Sequence, residues 1–295
     1  MKVVDSIIDL IGNTPMVKIK KLTSKNDANI FAKLEKFNVG GSVKDRIVKF
    51  IIEKLEKEGK ITKDKIIVEA TSGNTGIALA LIAAVKGYKT LIIMPENASE
   101  ERKIMIKALG SDIIFTKDEI EAIELAKKIV EESPEKYLLL GQFSSQYNPQ
   151  CHYETTGKEI IEQTEGKVDM LVATIGTTGT IVGVGRRLKE FNKKIKIIAV
   201  EPLKGENIPG LINLEEYKPP IFDTSIIDEI VDVSLRDAIE MSRRIAREEG
   251  IFVGISSGAA MCVAVDKAKE LGSGKNIVVI LPDGGERYFS MDIFK

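Results

Sequence analysis

The stretch KIIVEATSGNTGIALALIAAVKGYKTLIIMP, residues 65–95, decides the fold. KIIVEATS (65–72) is a short β-branched run, and NTGIALALIAAVKG (74–87) is an apolar run of helical length closed by Gly87. KTLIIMP (89–95) is a second β-branched run. Two strands joined through a helix run parallel, because the crossover returns the chain to the sheet edge it left. Outward from this unit the alternation continues. SEERKIMIKALG (99–110) opens on a capping Ser99 with acids behind it and closes on Gly110; SDIIFT, EIEAIELAKKIVEES and YLLLGQF (137–143) follow.

After the turn-rich SSQYNPQ (144–150) the rhythm restarts. One helix to about Gly166 leads into VDMLVATIGT, TIVGVGRRLKEFN and IKIIAVEP, then LRDAIEMSRRIAREEG and NIVVILPDGG. Strands as continuously apolar as NIVVIL belong to sheets covered on both faces. Residues 203–226 follow the Pro202 strand end, contain three further prolines, and read as a long functional loop. No tandem repeat or low-complexity tract is visible. Two α/β units of similar size account for the 295 residues.

Composition excludes several classes. Hydrophobic residues at 43% and charged residues at 29% are the balance of a soluble globular protein. A net charge of −1 with no Trp gives neither the basic field nor the stacking platforms of a nucleic-acid binder. No window is long and apolar enough for a membrane span, and Asp5 and Asp9 interrupt any secretory core near the start. Cys151 and Cys262 match no metal or disulfide spacing; they fit a reducing cytoplasm and read as packed helix thiols. A single histidine, His152, excludes a His-based metal cage and a Ser-His-Asp triad, and reads as a structural helix residue. No metal is expected.

Three small-residue clusters stand where strands hand over to helices: TSGNTG (71–76), GTTGT (176–180) and GISSGA (254–259). In a parallel sheet this is the carboxyl edge, where ligands bind. Hydroxyls and free N–H groups at a helix start make an anion site, so GTTGT reads as a phosphate cradle and TSGNTG as a carboxylate cradle. Neither is a Walker motif, since no G-K-[ST] closes the cluster, and neither has the dinucleotide G-x-G-x-x-G spacing. Singly, each is more often a structural cap; three in one chain are harder to explain that way. In GGSVKDR (40–46), Lys44 sits between a flexible turn and an apolar helix, either as a solvated charge or as an amine nucleophile.

GNTP (12–15), GGSVKDR (40–46), EATSGNTG (69–76), GTTGT (176–180) and GISSGA (254–259), in this order, resemble the motif set of the cysteine synthase family. The likeness runs from about residue 5 to residue 290. The family belongs to fold type II of the pyridoxal phosphate enzymes, with the β-subunit of tryptophan synthase as a more distant relative. The resemblance implies an α/β fold of two doubly wound, parallel-type sheets with the site between domains. The smaller, mobile domain would be residues 36–145, carrying the substrate-carboxylate loop. The larger would be 1–35 plus 146–295, carrying the cofactor-phosphate loop.

By the same resemblance, Lys44 carries pyridoxal 5'-phosphate as a Schiff base and acts as general base. Gly176, Thr177, Thr178, Gly179 and Thr180 hold its phosphate, Asn74 meets its 3'-oxygen, and Ser256, with Ser257 beside it, faces its ring nitrogen. A hydroxyl there leaves the ring a weaker electron sink than an Asp would, which favours β-elimination and β-replacement. Thr71, Ser72, Asn74, Thr75 and Gln142 clamp the substrate α-carboxylate, and DGGERY (283–288) lines the ring-nitrogen side, with Asp283 near Ser256. The implied reaction is β-replacement through an α-aminoacrylate on a serine- or cysteine-type amino acid, with sulfide as incoming or leaving group.

Thr178, NIPGL (207–211) and DEIVDVS (228–234) resemble the B-type O-acetylserine sulfhydrylases, where Thr178 is either packing or the wall of a site wide enough for thiosulfate. Asp232 is either a solvated or capping residue, or a base that activates water to turn cysteine into serine and hydrogen sulfide. The cysteine lyase is the sharper expectation. The alternatives are cysteine synthesis from O-acetylserine with sulfide or thiosulfate, a low-activity regulatory relative that binds the cofactor, and a serine/threonine dehydratase. A cytoplasmic homodimer without nucleic-acid or membrane partners is expected.

Overall fold

The structure is a computed structural model and describes residues 3–291, 293 and 294. The opening stretch forms strand β3 (Ile66–Ala70), helix α2 (Asn74–Lys86) and strand β4 (Lys89–Pro95), as its pattern predicts. Gly87 ends α2 in the left-handed region (φ 71°), a conformation that favours glycine. α3 (Glu100–Ala108), β5 (Asp112–Thr116), α4 (Glu119–Glu132) and β6 (Tyr137–Leu139) complete a four-stranded, wholly parallel sheet of order β5-β4-β3-β6.

The second sheet has six strands, in the order β1-β2-β10-β7-β8-β9. They are β1 (Met16–Lys18), β2 (Asn29–Leu34), β7 (Met170–Thr174), β8 (Lys196–Pro202), β9 (Glu229–Val233) and β10 (Asn276–Leu281). Only β1 runs antiparallel to its neighbour. The helices around it are α5 (Tyr147–Glu154), α6 (Thr156–Gln163), α7 (Gly179–Phe191), α8 (Leu235–Arg244) and α9 (Ile255–Leu271). The single helix expected to about Gly166 is two, broken at Thr155, whose backbone leaves helical geometry (φ −115°, ψ −77°) while its Oγ1 donates to Cys151 O at 2.7 Å.

Each sheet is covered on both faces. On the smaller one, α1 (Lys44–Lys57) and α2 pack Ile47, Ile51, Ile77 and Ile82 against Ile67 and Ile92. On its other face α4 brings Ala122 and Ala126 to Val68 and Ile93. On the larger sheet, α8 and α9 build one core with Val172, Val200 and Val279. Ile181, Val184 and Leu188 of α7 build the other with Leu171, Ile197 and Val278. Double coverage explains the uninterrupted apolar strands. No helix among the described residues is long and apolar enough to cross a membrane.

Candidate active site

A cavity of about 780 Å³ lies at the carboxyl ends of strands from both sheets. From the smaller sheet, β3 ends at Ala70 and hands over through Thr71, Ser72 and Gly73 to the first turn of α2. The Thr71 Oγ1 accepts from Gly73 N at 3.1 Å, which folds the turn on itself. Thr75 Oγ1 donates to Gln142 Oε1 at 2.6 Å, and Gln142 Nε2 reaches Ala70 O at 3.3 Å, tying the loop to the chain after β6. The first N–H groups of α2 have no intrahelical acceptor and face the cavity with these hydroxyls, a suitable seat for a carboxylate.

From the larger sheet, β7 hands over through Ile175–Thr178 to α7. Thr178 adopts φ 68°, a conformation that costs a β-branched residue on the order of 1–3 kcal/mol. Its buried Oγ1 has no partner among the described residues. A Cβ at Gly176 would stand 2.6 Å from Gly210 O, and one at Gly179 would fall on the buried Asn148 carboxamide. Thr180 Oγ1 lies 3.2 Å from Nε2 of His152, whose Nδ1 lies 2.9 Å from Thr156 Oγ1. Burial, helped by the charges of Arg46 and Lys44, holds His152 well below the usual histidine pKa, so it is neutral. A close-approaching backbone, an orphaned hydroxyl and a helix start form a fitted phosphate cradle.

Lys44 opens α1, half-buried, with its side chain in the same cavity. Burial lowers the pKa of its amine, partly offset by Asp283. Two residues on, Arg46 fixes the root of α1: Nε meets Glu35 Oε2 at 2.7 Å and Nη1 meets Glu159 Oε1 at 2.6 Å. Lys33 Nζ joins at 2.6 Å from Glu159 Oε2. Asp283, fully buried after β10, accepts from Asn74 Nδ2 at 2.7 Å and Tyr288 Oη at 2.8 Å. Among the described residues its other oxygen has no partner, and neither has Asn74 Oδ1. Ser256, in the first turn of α9, closes the far wall.

Lys44, Thr71, Ser72, Asn74, Thr75, Gln142, Gly176, Thr177, Thr178, Thr180 and Ser256 therefore line one cavity. Gly179 stands behind the lining, packed on Asn148, and Ser257 is fully buried outside it. Asp283 bonds Asn74 and Tyr288 through its side chain, and its carbonyl accepts from Gly254 N at 3.2 Å, just ahead of Ser256 in the same cavity. Asp232 is not brought to the cavity. It lies exposed on the edge strand β9, in register with Glu201 of β8, which sets the two carboxyls side by side on one face of the sheet. Burial and the Asp232 carboxylate together raise the pKa of Glu201. Burial pushes the Cys151 and Cys262 thiols up to about 12, so neither is a thiolate at neutral pH. Sequence reasoning missed Arg102, Asn148 and the link from His152 to Thr180; none carries a motif, and only the fold brings them to the cavity wall or beneath it.

An amine of lowered pKa set between a phosphate cradle and a carboxylate cradle is the site of a pyridoxal phosphate enzyme. The chain belongs to the pyridoxal-phosphate dependent enzyme family, which matches residues 7–283. Pyridoxal phosphate is its cofactor, and the orphaned Thr178 hydroxyl and glycine approach fit that group. Within the family it is similar to the cysteine synthase of Staphylococcus aureus (strain Mu50), at 46% identity over 99% of this chain and 98% of the relative. It is 44% identical to cysteine synthase B of Salmonella typhimurium (strain LT2), over 96% and 94% of the two chains. Among solved structures it resembles a hydrogen sulfide-producing enzyme of Fusobacterium nucleatum, with a TM-score of 0.92, 41% identity, and coverage of 97% of this chain and 100% of that one.

Proposed function

We propose that the protein makes cysteine by replacing the β-substituent of O-acetylserine with sulfide. The observation that carries this reading is the placement of Lys44 in one cavity with both the TSGNT turn and the GTTGT loop. Thr71, Ser72, Asn74, Thr75 and Gln142 hold the substrate α-carboxylate, which fixes the Cα–H relative to the Lys44 amine. Gly176 to Thr180 hold the cofactor phosphate, and Ser256 presents a hydroxyl to the ring nitrogen. When bound, the cofactor stabilises negative charge developing at Cα, which lets the β-substituent leave.

The Lys44 amine takes the Cα proton and later returns it; burial lowers its pKa from that of a free lysine, which makes the unprotonated base easier to reach. Residues 36–145, as the smaller mobile domain, close over the bound carboxylate and exclude water that would divert the substrate to pyruvate. The protein works as a homodimer.

The reverse chemistry, cysteine and water to serine and hydrogen sulfide, is supported by the likeness to the F. nucleatum enzyme named for hydrogen sulfide production. In that reading Asp232 turns from Glu201 towards the cavity to activate water. Purified holoenzyme is assayed with O-acetylserine plus sulfide, and with cysteine alone, measuring cysteine, serine, sulfide and pyruvate. Cysteine formed from the first mixture, and abolished in Lys44→Ala, is the expected result. Serine and sulfide from cysteine alone, at the greater rate, overturn the synthetic direction. Pyruvate from serine or 2-oxobutyrate from threonine, in parallel incubations, indicates a dehydratase, and no product from any of these substrates a regulatory relative.

A further inference from the structure

Resting on the reading above, we infer that Arg102 and Ser99 form a second anion subsite that receives a tetrahedral oxyanion carried at the substrate β-position or by the sulfur donor. Both residues belong to the N-terminal turn of α3 or its cap, and both line the cavity. Arg102 is a buried cation, 6% exposed, and Ser99 is equally buried. Among the described residues, the Arg102 guanidinium has no carboxylate within 4.0 Å and its Nε has no hydrogen-bond partner. Ser99, although at the capping position, does not cap: its Oγ is buried and has no partner among the described residues. Its companion Glu101 is already engaged, accepting from Ser290 N and Oγ at 2.8 Å each. Asp118 and Glu119 stand in the same wall; neither forms a salt bridge with Arg102, although the Arg102 charge acts on the Glu119 carboxyl and partly offsets the burial that raises its pKa.

A desolvated guanidinium is retained only where something supplies countercharge, and here the cavity is the open side. Its guanidinium packs on an aromatic ring and a glycine: Cζ lies 4.8 Å from the Tyr288 ring centroid, and Cδ would be 2.5 Å from a Cβ at Gly73. Gly73 is therefore the residue that lets Arg102 lie against the carboxylate loop. The donors of that loop already suffice for one carboxylate. A planar fork beside a hydroxyl and a helix start suits phosphate or sulfonate, which accept through several oxygens at once.

Two chemistries bring such a group. With O-phosphoserine and HS⁻, the Cβ–O bond breaks and a Cβ–S bond forms, giving the cysteine thiolate and HPO₄²⁻, which takes the proton of HS⁻. With O-acetylserine and thiosulfate, the same bond change gives S-sulfocysteine and acetate. The test uses holoenzyme, wild type, Arg102→Gln, Arg102→Lys and Ser99→Ala. For each, kcat/KM is measured for O-phosphoserine against O-acetylserine with sulfide, and for thiosulfate against sulfide with O-acetylserine. Binding of inorganic phosphate is titrated calorimetrically in parallel.

In Arg102→Gln one of the two ratios falls by about tenfold or more, and phosphate binding weakens by a similar factor. Arg102→Lys recovers part of both, and Ser99→Ala shows a smaller loss of the same kind. The ratio that falls identifies the source of the oxyanion. An equal loss for every substrate, with both ratios unchanged, places Arg102 on the α-carboxylate and overturns the proposal. Phosphate binding unaffected in all variants, or absent from the wild type, overturns it as well. Should O-acetylserine give no cysteine at all, the reaction assignment fails while the phosphate titration still decides the subsite.

Discussion

Replacing Glu159 by Gln perturbs the root of the helix that carries Lys44 without touching the cavity. Glu159 meets Arg46 and Lys33 within 2.6 Å and also accepts from Asn13 N at 2.9 Å. Four charges share this buried cluster, Lys33 and Arg46 against Glu35 and Glu159, and they cancel. Burial works against the Glu159 carboxylate, but bonds and charge from Arg46 and Lys33 outweigh it and hold its pKa at about 2, below an ordinary 4.5. That difference corresponds to about 3 kcal/mol of stability, fully present above pH 4.5 and lost as pH falls towards 2.

Glu159→Gln leaves two cations facing one anion, and breaking a buried pair in this way costs about 3–5 kcal/mol. Lys33, whose pKa burial already lowers, is the group that gives way, because Glu159 is the main charge opposing that shift. Its folded pKa is expected to fall further below its unfolded 10.5, so the variant releases more of a proton on folding than wild type and gains stability more steeply as pH rises towards that value. Urea unfolding of the holoprotein, followed by circular dichroism from pH 6.5 to 9.5, is expected to show a deficit of about 3 kcal/mol or more near pH 7 that narrows with pH. Parallel profiles for variant and wild type across this range would refute the cluster's charge accounting.

Gly179→Ala drives a methyl into the carboxamide of Asn148, which is itself pinned by Nδ2 bonds to Gln142 O at 2.8 Å and Thr177 Oγ1 at 3.0 Å. The expected outcome is a loss of about 1–3 kcal/mol of stability together with weakened cofactor retention, read as the ratio of cofactor absorbance to protein after gel filtration; full retention contradicts the cradle. Burial raises the Glu69 carboxyl to about 7, against 4.5 when free, while its Oε2 accepts from Gly141 N at 2.7 Å. The folded state then keeps a proton the unfolded chain releases, so stability falls as pH rises from about 4.5 to 7. Glu69→Gln keeps the acceptor and removes the slope, and should match wild type near pH 5 but exceed it by about 3 kcal/mol at pH 8.

Where local pattern and tertiary burial agree, the fold is legible in the sequence. Residues 65–95 form their βαβ unit as read, and the three clusters stand at strand ends as their composition implies. β2 escapes notice because Lys33 interrupts its apolar run. Its charge is tolerated only through Glu159, Thr14 O and Gln163, the two side chains lying more than a hundred residues away. β9 escapes because an edge strand shows little apolar alternation, and the same exposure keeps Asp232 out of the cavity. Arg102 reads as one more charge on an amphipathic helix. Nothing nearby in the chain shows that Gly73 and Tyr288 will enclose it.

The placement of Lys44 carries one further consequence for how the two sheets work together. Its helix contributes Ile47, Val48, Ile51 and Ile52 to the core of the smaller sheet. Its N-terminal end is held by the other sheet: Val43 N donates to Pro282 O at 2.9 Å, Ser42 bridges Asp283, and Arg46 grips Glu35 and Glu159. The Lys44 end of α1 is thus bonded to the unit that carries the GTTGT loop, while the helix behind it packs in the unit that carries the TSGNT turn. On the proposed reading, a closure of residues 36–145 that pivots at this end would move Thr71–Thr75 over the substrate yet leave the amine in register with the cofactor phosphate. Loosening the pivot, as Glu159→Gln does, should therefore lower kcat more than it raises the KM for O-acetylserine. The carboxylate donors would be untouched while the amine loses its fixed position, and a variant that changes KM alone would contradict this division of labour.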